Sequence, residues 1–201
     1  MSEFYKKIKT LYDKNDLKEE DRKILVHCCC AVCFGYPSQY LKMLGYIPVA
    51  YFFNPNIYPL EEQKRRYEEL EKYCSKYDFE LIKEDAAPEV FYEAIKGLED
   101  EPEKGLRCNK CFELRLLKAA QKAKELKIGQ FTTTLSVSPH KVSKNIFEAG
   151  NKAAKTISGV KFLDFDFKKN NGFNVTQKIA TYNNMYKQTY CGCEFSIRKD
   201  A

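Results

Sequence analysis

The 201-residue chain has no run of about 18 apolar residues, the length a helix needs to cross a bilayer, so no membrane span is expected. Residues 1–17 alternate charge with Phe4, Ile8, Leu11 and Tyr12. That pattern reads as a short amphipathic helix and lacks the apolar centre of a secretory signal. Neither an internal repeat nor a low-complexity linker breaks the chain, so residues 1–201 are expected to form one domain. Such a length buries roughly 70% of the unfolded surface. Glycine numbers only 9, and no Gly-rich fingerprint follows a strand, so nothing points to a dinucleotide or flavin.

What the chain has is sulfur. Without export the compartment is reducing, which places the protein in the cytoplasm and makes nine cysteines ligands or redox groups rather than a disulfide framework. An odd count agrees, since at least one thiol is left over. Ile24-Leu25-Val26 reads as a short buried strand, and Cys28, Cys29, Cys30 and Cys33 follow it within six positions. Neighbouring side chains on an extended chain point to opposite faces, so a packed core has no use for three adjacent thiols. Metal or sulfur chemistry does.

Phe34 to Leu44 reads as a helix stopped by Gly45, and Ile47 to Phe53 as a second, continuously apolar strand. Tyr67, Leu70, Cys74 and Tyr77 share one face of a helix over Leu60 to Tyr77, which makes Cys74 a core residue. Phe79 to Lys83 is a third strand, ending at Asp85, and Ala87 to Leu98 a helix. Arg107-Cys108-Asn109-Lys110-Cys111 opens the helix Phe112 to Leu126, where unpaired N–H groups favour thiolates. Gln130 to Leu135 and Val160 to Phe167 are the fourth and fifth strands, with a helix between them ending near Ile157. A last helix, Val175 to Lys187, precedes Tyr190-Cys191-Gly192-Cys193.

Alternating strands and helices imply an α/β domain, a mostly parallel sheet flanked by helices, whose ligands bind beyond the carboxyl ends of the strands. The cysteines after strand one, Asn54 and Asn56 after strand two, and Ser138 to Lys141 after strand four all fall there. The clusters Cys29/Cys30/Cys33 and Cys108/Cys111 can bring four thiolates to one centre, a donor set for zinc or an iron–sulfur cluster. A full α/β core has little need of structural zinc, so a 4Fe-4S cluster is expected. Cys191 and Cys193 are poorly spaced to bind one metal together but can close a small strained disulfide, so they are expected to be a redox pair. His27 reads as a hydrogen-bonded strand-end residue, and His140 as a loop residue within reach of a phosphate or base.

Charge is uneven. Residues 1–140 carry 23 Lys/Arg and 23 Asp/Glu, whereas residues 141–201 carry 11 and 5, the whole net charge of +6. That basic C-terminal third suits a polyanion such as RNA, with Lys168 and Lys169 expected among the phosphate contacts.

The motifs His27-x-Cys29-Cys30-Ala31-x-Cys33, Asn54-Pro55-Asn56-Ile57-x-Pro59, Arg107-Cys108-x-x-Cys111, Thr133-Thr134-Leu135-x-x-Ser138-Pro139 and Tyr190-Cys191-Gly192-Cys193-x-Phe195-Ser196 together resemble the non-cobalamin epoxyqueuosine reductases (QueH), over about residues 22–197. The resemblance implies reduction of epoxyqueuosine to queuosine at the wobble position of tRNA, with a 4Fe-4S cluster on Cys29, Cys30, Cys108 and Cys111. It also implies Cys191 and Cys193 as a redox-active pair, fed by an unidentified electron donor. Cys28 occupies a variable position of the pattern and leaves the adjacent pair as 28/29 or 29/30. Cys33, with no fixed role, is free to hold an additional iron next to the cluster. The fold so implied is a three-layer, nucleotide-hydrolase-like (HUP-like) domain with the cysteine site at the strand carboxyl ends. For the proton donor, Asp13, Asp85, Tyr58 and Tyr190 stand as candidates. Two rivals differ in class. An ATP-dependent tRNA thiolase needs a Gly/Ser-rich phosphate loop after strand one, where this chain has cysteines. A redox-sensing metal module leaves Cys191-Gly192-Cys193 without a purpose.

Overall fold

The structure, a computed structural model, describes residues 18–197 except Ala86. The expected N-terminal amphipathic helix and Asp13 lie outside the described residues. Five parallel strands form one sheet: β1 (Lys23–His27), β2 (Ile47–Phe52), β3 (Leu81–Lys83), β4 (Gln130–Thr133) and β5 (Lys161–Phe162), in the order β3-β2-β1-β4-β5. The helices are α1 (Ala31–Met43), α2 (Leu60–Tyr77), α3 (Glu89–Ala94), α4 (Leu106–Glu125), α5 (Ser143–Thr156) and α6 (Gly172–Tyr182). No helix among the described residues is long and apolar enough to cross a membrane.

Side-chain alternation divides the core into two layers. Ile24, Val26, Ala50 and Phe52 face Phe34 and Leu41 of α1, Leu70 and Cys74 of α2 and Ala180 of α6. Leu25, Val49, Tyr51 and Phe53 face Phe112 and Leu116 of α4 and Ile146 and Ala149 of α5. Strands β1 and β2 are thus buried on both sides, which is why they read as unbroken apolar runs. Cys74 lies in the first layer, as its place on the helical stripe predicts.

The winding direction reverses at β1. The chain steps outward from β1 through β2 to β3, then returns to lay β4 against the other edge of β1, with His27 in register with Thr133. A crevice opens beyond the strand ends at such a reversal. It is flanked by the cysteine run after β1 and by residues 134–141 after β4.

Helix α3 is shorter than the expected Ala87 to Leu98, and α6 starts and ends earlier than Val175 to Lys187. Three further departures have a clear local reason. Helix α1 starts at Ala31, not Phe34, because extended Cys30 caps it: the Cys30 sulfur accepts the Cys33 N–H at 3.4 Å. Helix α4 starts at Leu106, which places Cys108 and Cys111 inside the helix, three residues apart on one face. Strand β5 has two residues rather than eight, because β4 tightens into a 3-10 turn at Thr134–Val137. Side chains take over the ladder there: Thr132 Oγ1 donates to the Leu163 carbonyl (2.7 Å) and Ser136 Oγ to that of Phe165 (2.7 Å).

Gly172 opens α6 where it crosses the chain after β5. A Cβ there would sit 1.9 Å from the Phe167 carbonyl oxygen and 2.7 Å from the Tyr36 ring. Main chain cannot yield as a side chain can, so Gly172→Ala should destabilise the protein by about 2 kcal/mol. Thermal unfolding should show the midpoint falling by roughly 4–8 °C; an unchanged midpoint would mean that α6 is not held against residue 167.

Candidate functional site

Strand β1 delivers His27 and Cys28 to opposite faces. Cys28 continues the alternation of Ile24 and Val26 into the α1/α2 layer, where its thiol donates to the Tyr51 carbonyl at 3.5 Å. Burial, helped by Cys74, pushes this thiol well above its ordinary range. Cys28 is a core residue.

His27 is fully buried on the other face. Its Nε2 lies 3.3 Å from both Arg115 Nε and the Phe53 carbonyl, and its Nδ1 shares a hydrogen bond with Thr133 Oγ1 at 2.9 Å. Burial and the Arg115 charge hold His27 neutral, with its pKa lowered to about 3. The hydrogen-bonded strand-end role expected for His27 is the one it occupies.

Between Cys28 and Ala31 the chain turns from strand into helix, so Cys29 and Cys30 do not alternate. Their sulfurs lie 3.9 Å apart. Together with Cys33, on the first turn of α1, they form a group with all three sulfurs within 4.8 Å of one another. Hydrogen bonds from Cys30 and Cys33, then the charges of Arg115 and Lys141, hold the Cys29 thiol well below its ordinary range. Donating to Cys29 pushes Cys30 up to about 12. Of the three, Cys29 is the one whose surroundings favour thiolate.

Helix α4 supplies the facing thiols. Cys108 accepts the Lys104 N–H at 3.3 Å, and Cys111 accepts Arg115 Nη1 at 3.8 Å. Arg115, 2% exposed, also donates through Nη2 to Asn54 Oδ1 at 2.6 Å. Burial opposes its charge, but Cys111, Cys29 and Cys191 outweigh burial and raise its pKa. Lys141, half-buried after β4, is held charged in the same way by Cys191, Cys29 and Cys33. Cys108, Cys111, Arg115, Lys141, Cys191 and Cys193 line one pocket. His140 lies at its rim, exposed.

Arg115 was not among the expected site residues, and Lys141 was expected in the crevice only as the end of Ser138 to Lys141, with no role of its own. Arg115 had a signal in the sequence: it follows Cys111 by four residues, one helical turn along the same face. Lys141 had none beyond its place after β4. Lys168 is also not what its charge suggests. Its Nζ donates to the carbonyls of Ser138 (3.2 Å) and Lys141 (2.6 Å), so it braces the loop that carries Lys141 rather than facing solvent for a phosphate. Asp85 is at the end of outer strand β3, paired with Lys83 at 2.8 Å, away from the pocket lining. The hydroxyl of Tyr190 is bound to the Tyr58 carbonyl, which ties these two rim residues to each other.

Cys29, Cys30 and Cys33, from one chain segment, are the described thiols close enough to share a metal, while Cys108 and Cys111 line the pocket outside that group. Soft sulfur donors with the fixed cations Arg115 and Lys141 nearby suit a thiolate-bound metal group.

A profile of the family described as epoxyqueuosine reductase QueH matches residues 24–199. The chain is 38% identical over 181 residues to epoxyqueuosine reductase QueH of Streptococcus pyogenes serotype M1, covering 87% of this chain and 70% of that one. It is 36% identical over 185 residues to the QueH protein of Histophilus somni, covering 92% and 76%. Among solved structures it is similar to the U34-tRNA thiolase NcsA from Methanococcus maripaludis with its 4Fe-4S cluster. The TM-score is 0.60 at 14% identity, over 97% of this chain and 69% of that one, a likeness of fold.

The separation of Cys28 from the Cys29/Cys30/Cys33 sulfur group has a direct test. Cys28→Ala should bind as much metal as the parent protein while losing about 1 kcal/mol of stability. Cys30→Ala should lose most of its metal. Metal analysis of anaerobically prepared protein decides; equal loss in both would put Cys28 among the ligands.

Proposed function

Because the chain belongs to the epoxyqueuosine reductase QueH family, we propose that it reduces epoxyqueuosine to queuosine at the wobble position of tRNA, the last step of queuosine biosynthesis. The observation that supports this reading is a pocket that joins thiols of α4 to the Cys191/Cys193 pair, with the Cys29/Cys30/Cys33 group linked to it through the charges of Arg115 and Lys141, within a fold shared with a tRNA-modifying enzyme. Cysteines 28 to 33 stand where an ATP-dependent thiolase would need its Gly/Ser-rich phosphate loop, which disfavours that rival.

Opening the epoxide to an alkene takes two electrons and two protons and releases the oxygen as water. A dithiol closing to a disulfide gives up two electrons and two protons, so Cys191 and Cys193 balance the reaction once per turnover. An external two-electron reductant then reopens the pair. A 4Fe-4S cluster supplies electrons one at a time, and an iron beside it supplies Lewis acidity. Cys29, Cys30, Cys33, Cys108 and Cys111 are five thiols where a cluster uses four, which leaves one for the additional iron. Arg115 and Lys141 keep their charge within the pocket and stabilise thiolate at Cys29. The site belongs to a cytoplasmic protein, where thiols stay reduced.

The RNA runs, on this reading, along a groove of about 640 Å³ between α5 and the segment after β5, lined by Lys144, Phe147, Lys152, Lys155 and Lys169. It leaves the pocket at the start of α5, where Val142 and Asn145 still line the thiol site. Lys155 and Lys169 make no ion pair among the described residues, whereas Lys152 is engaged with Glu113 at 2.9 Å.

Two outcomes are expected. Reconstituted protein, given epoxyqueuosine-containing tRNA and a strong reductant without oxygen, should yield queuosine, lighter by one oxygen, without cobalamin. Cys191→Ser and Cys193→Ser should each abolish turnover and keep the iron. Queuosine that forms only with cobalamin, or full activity in both variants, would overturn the reading. For RNA, Lys155→Glu/Lys169→Glu should flatten the log–log salt dependence of tRNA binding by about 0.7–0.9 for each phosphate that is no longer neutralised. An unchanged slope would leave the groove as a solvated face. Lys168→Glu should instead disturb the Lys141 loop.

A further inference from the structure

Arg66 on α2 is the largest fully buried side chain of the described residues, at 0% exposure. A guanidinium so placed is costly unless its donors are matched. Nε donates to Glu62 Oε1 at 2.7 Å, Nη1 to the Cys191 carbonyl at 3.1 Å and Nη2 to the Tyr190 carbonyl at 3.3 Å. Two of its three nitrogens therefore hold the main chain of a segment 124 residues away, at the cysteine pair.

The surroundings extend the seat. Glu62 Oε2 accepts the Tyr186 hydroxyl at 2.9 Å, and the Arg65 guanidinium lies 3.5 Å from the centre of the Tyr186 ring. The Tyr186 N–H reaches Glu69 at 3.2 Å, so one face of α2 straps down the chain that leads to the pair. On the other side, the Tyr58 N–H donates to the Gly192 carbonyl at 2.9 Å. Gly192 has φ +141°, and a Cβ there would stand 3.1 Å from Arg66 Nη1 and 3.3 Å from Ile57. The residue between the cysteines is thus glycine both for its backbone angle and for the approach of the guanidinium.

We propose that Arg66 is a positioning residue for the redox pair: its grip on the Tyr190 and Cys191 carbonyls seats Cys191 and Cys193 in the pocket lined by Cys108, Cys111 and Lys141. The inference rests on the reading of Cys191 and Cys193 as the reducing dithiol. Arg66 lies outside the pocket lining and acts through the main chain, so it controls where the sulfurs sit and how readily they meet other reagents.

The test uses anaerobically reconstituted full-length protein with its iron. Glu62→Gln/Arg66→Met removes the grip without stranding a buried carboxylate, and Gly192→Ala disturbs the same seat from the segment's side. Turnover number should fall by about 100-fold in each, as expected for an ångström-scale misplacement, with KM for tRNA nearly unchanged. Alkylation of Cys191 and Cys193, mapped by peptide mass with Cys108 as internal standard, should accelerate while iron content stays at the parent level. Arg66→Lys, which restores one donor, should recover part of the turnover. Parent-like turnover and alkylation in both variants would overturn the proposal, and so would loss of iron in both, which would make Arg66 a scaffold residue. Failure of the underlying reading looks different: Cys191→Ser and Cys193→Ser would then retain turnover, whatever Arg66 does.

Discussion

A buried positive charge beside the end of β1 is the constraint on which the site depends. Arg115 can only donate hydrogen bonds, and it reaches Asn54 Oδ1, the Cys111 sulfur and the His27 ring at Nε2, a nitrogen that also faces the Phe53 carbonyl at 3.3 Å. Those partners come from β1, from the loop after β2 and from α4 itself. One side chain thereby helps burial to keep His27 neutral, orients the Asn54 amide, which in turn donates to the Cys28 carbonyl at 2.9 Å, and biases nearby thiols toward thiolate. A neutral residue at 115 would leave Asn54 Oδ1 and the Cys111 sulfur without that donor in the core.

The arrangement explains how a soft-ligand site can sit within a close-packed α/β core. Thiolates are anionic, and burying several together is unfavourable unless cations accompany them. Arg115 and Lys141 border the pocket, while Arg66, on the far side of the C-terminal segment, also feels the thiols of Cys29 and Cys30. The thiols come from a strand end, a helix start and a returning C-terminal segment, so assembling the site requires the sheet to be complete. The segment of 191 to 193 is held through its main chain, by the Arg66 side chain of α2 and the Tyr58 N–H, and lies in none of the five strands or six α-helices.

Periodicity made much of this legible. Helix α2 has the bounds that its apolar spacing predicts, and the unbroken apolar runs of β1 and β2 are those of parallel strands covered on both faces. The membership of the site in the strand-end crevice also followed from order along the chain. Where periodicity stopped, so did the reading: β5 proved shorter than its alternating pattern because Thr132 and Ser136 side chains replace the ladder beyond Phe162.

The sequence by itself determined which atoms are available: nine thiols, their grouping after β1 and at the start of α4, and a Cys-Gly-Cys near the end. Only the tertiary structure decided which neighbours share a space. Cys28, Cys29 and Cys30 are chemically alike and buried in the same layer, yet only the last two bring their sulfurs to Cys33. Charges were equally ambiguous. Lys168 and Lys169 are adjacent lysines, but one braces the Lys141 loop and the other lines an open groove. A single polar side chain leaves no periodic trace, because its role is set by groups distant in sequence that the fold brings within hydrogen-bond reach.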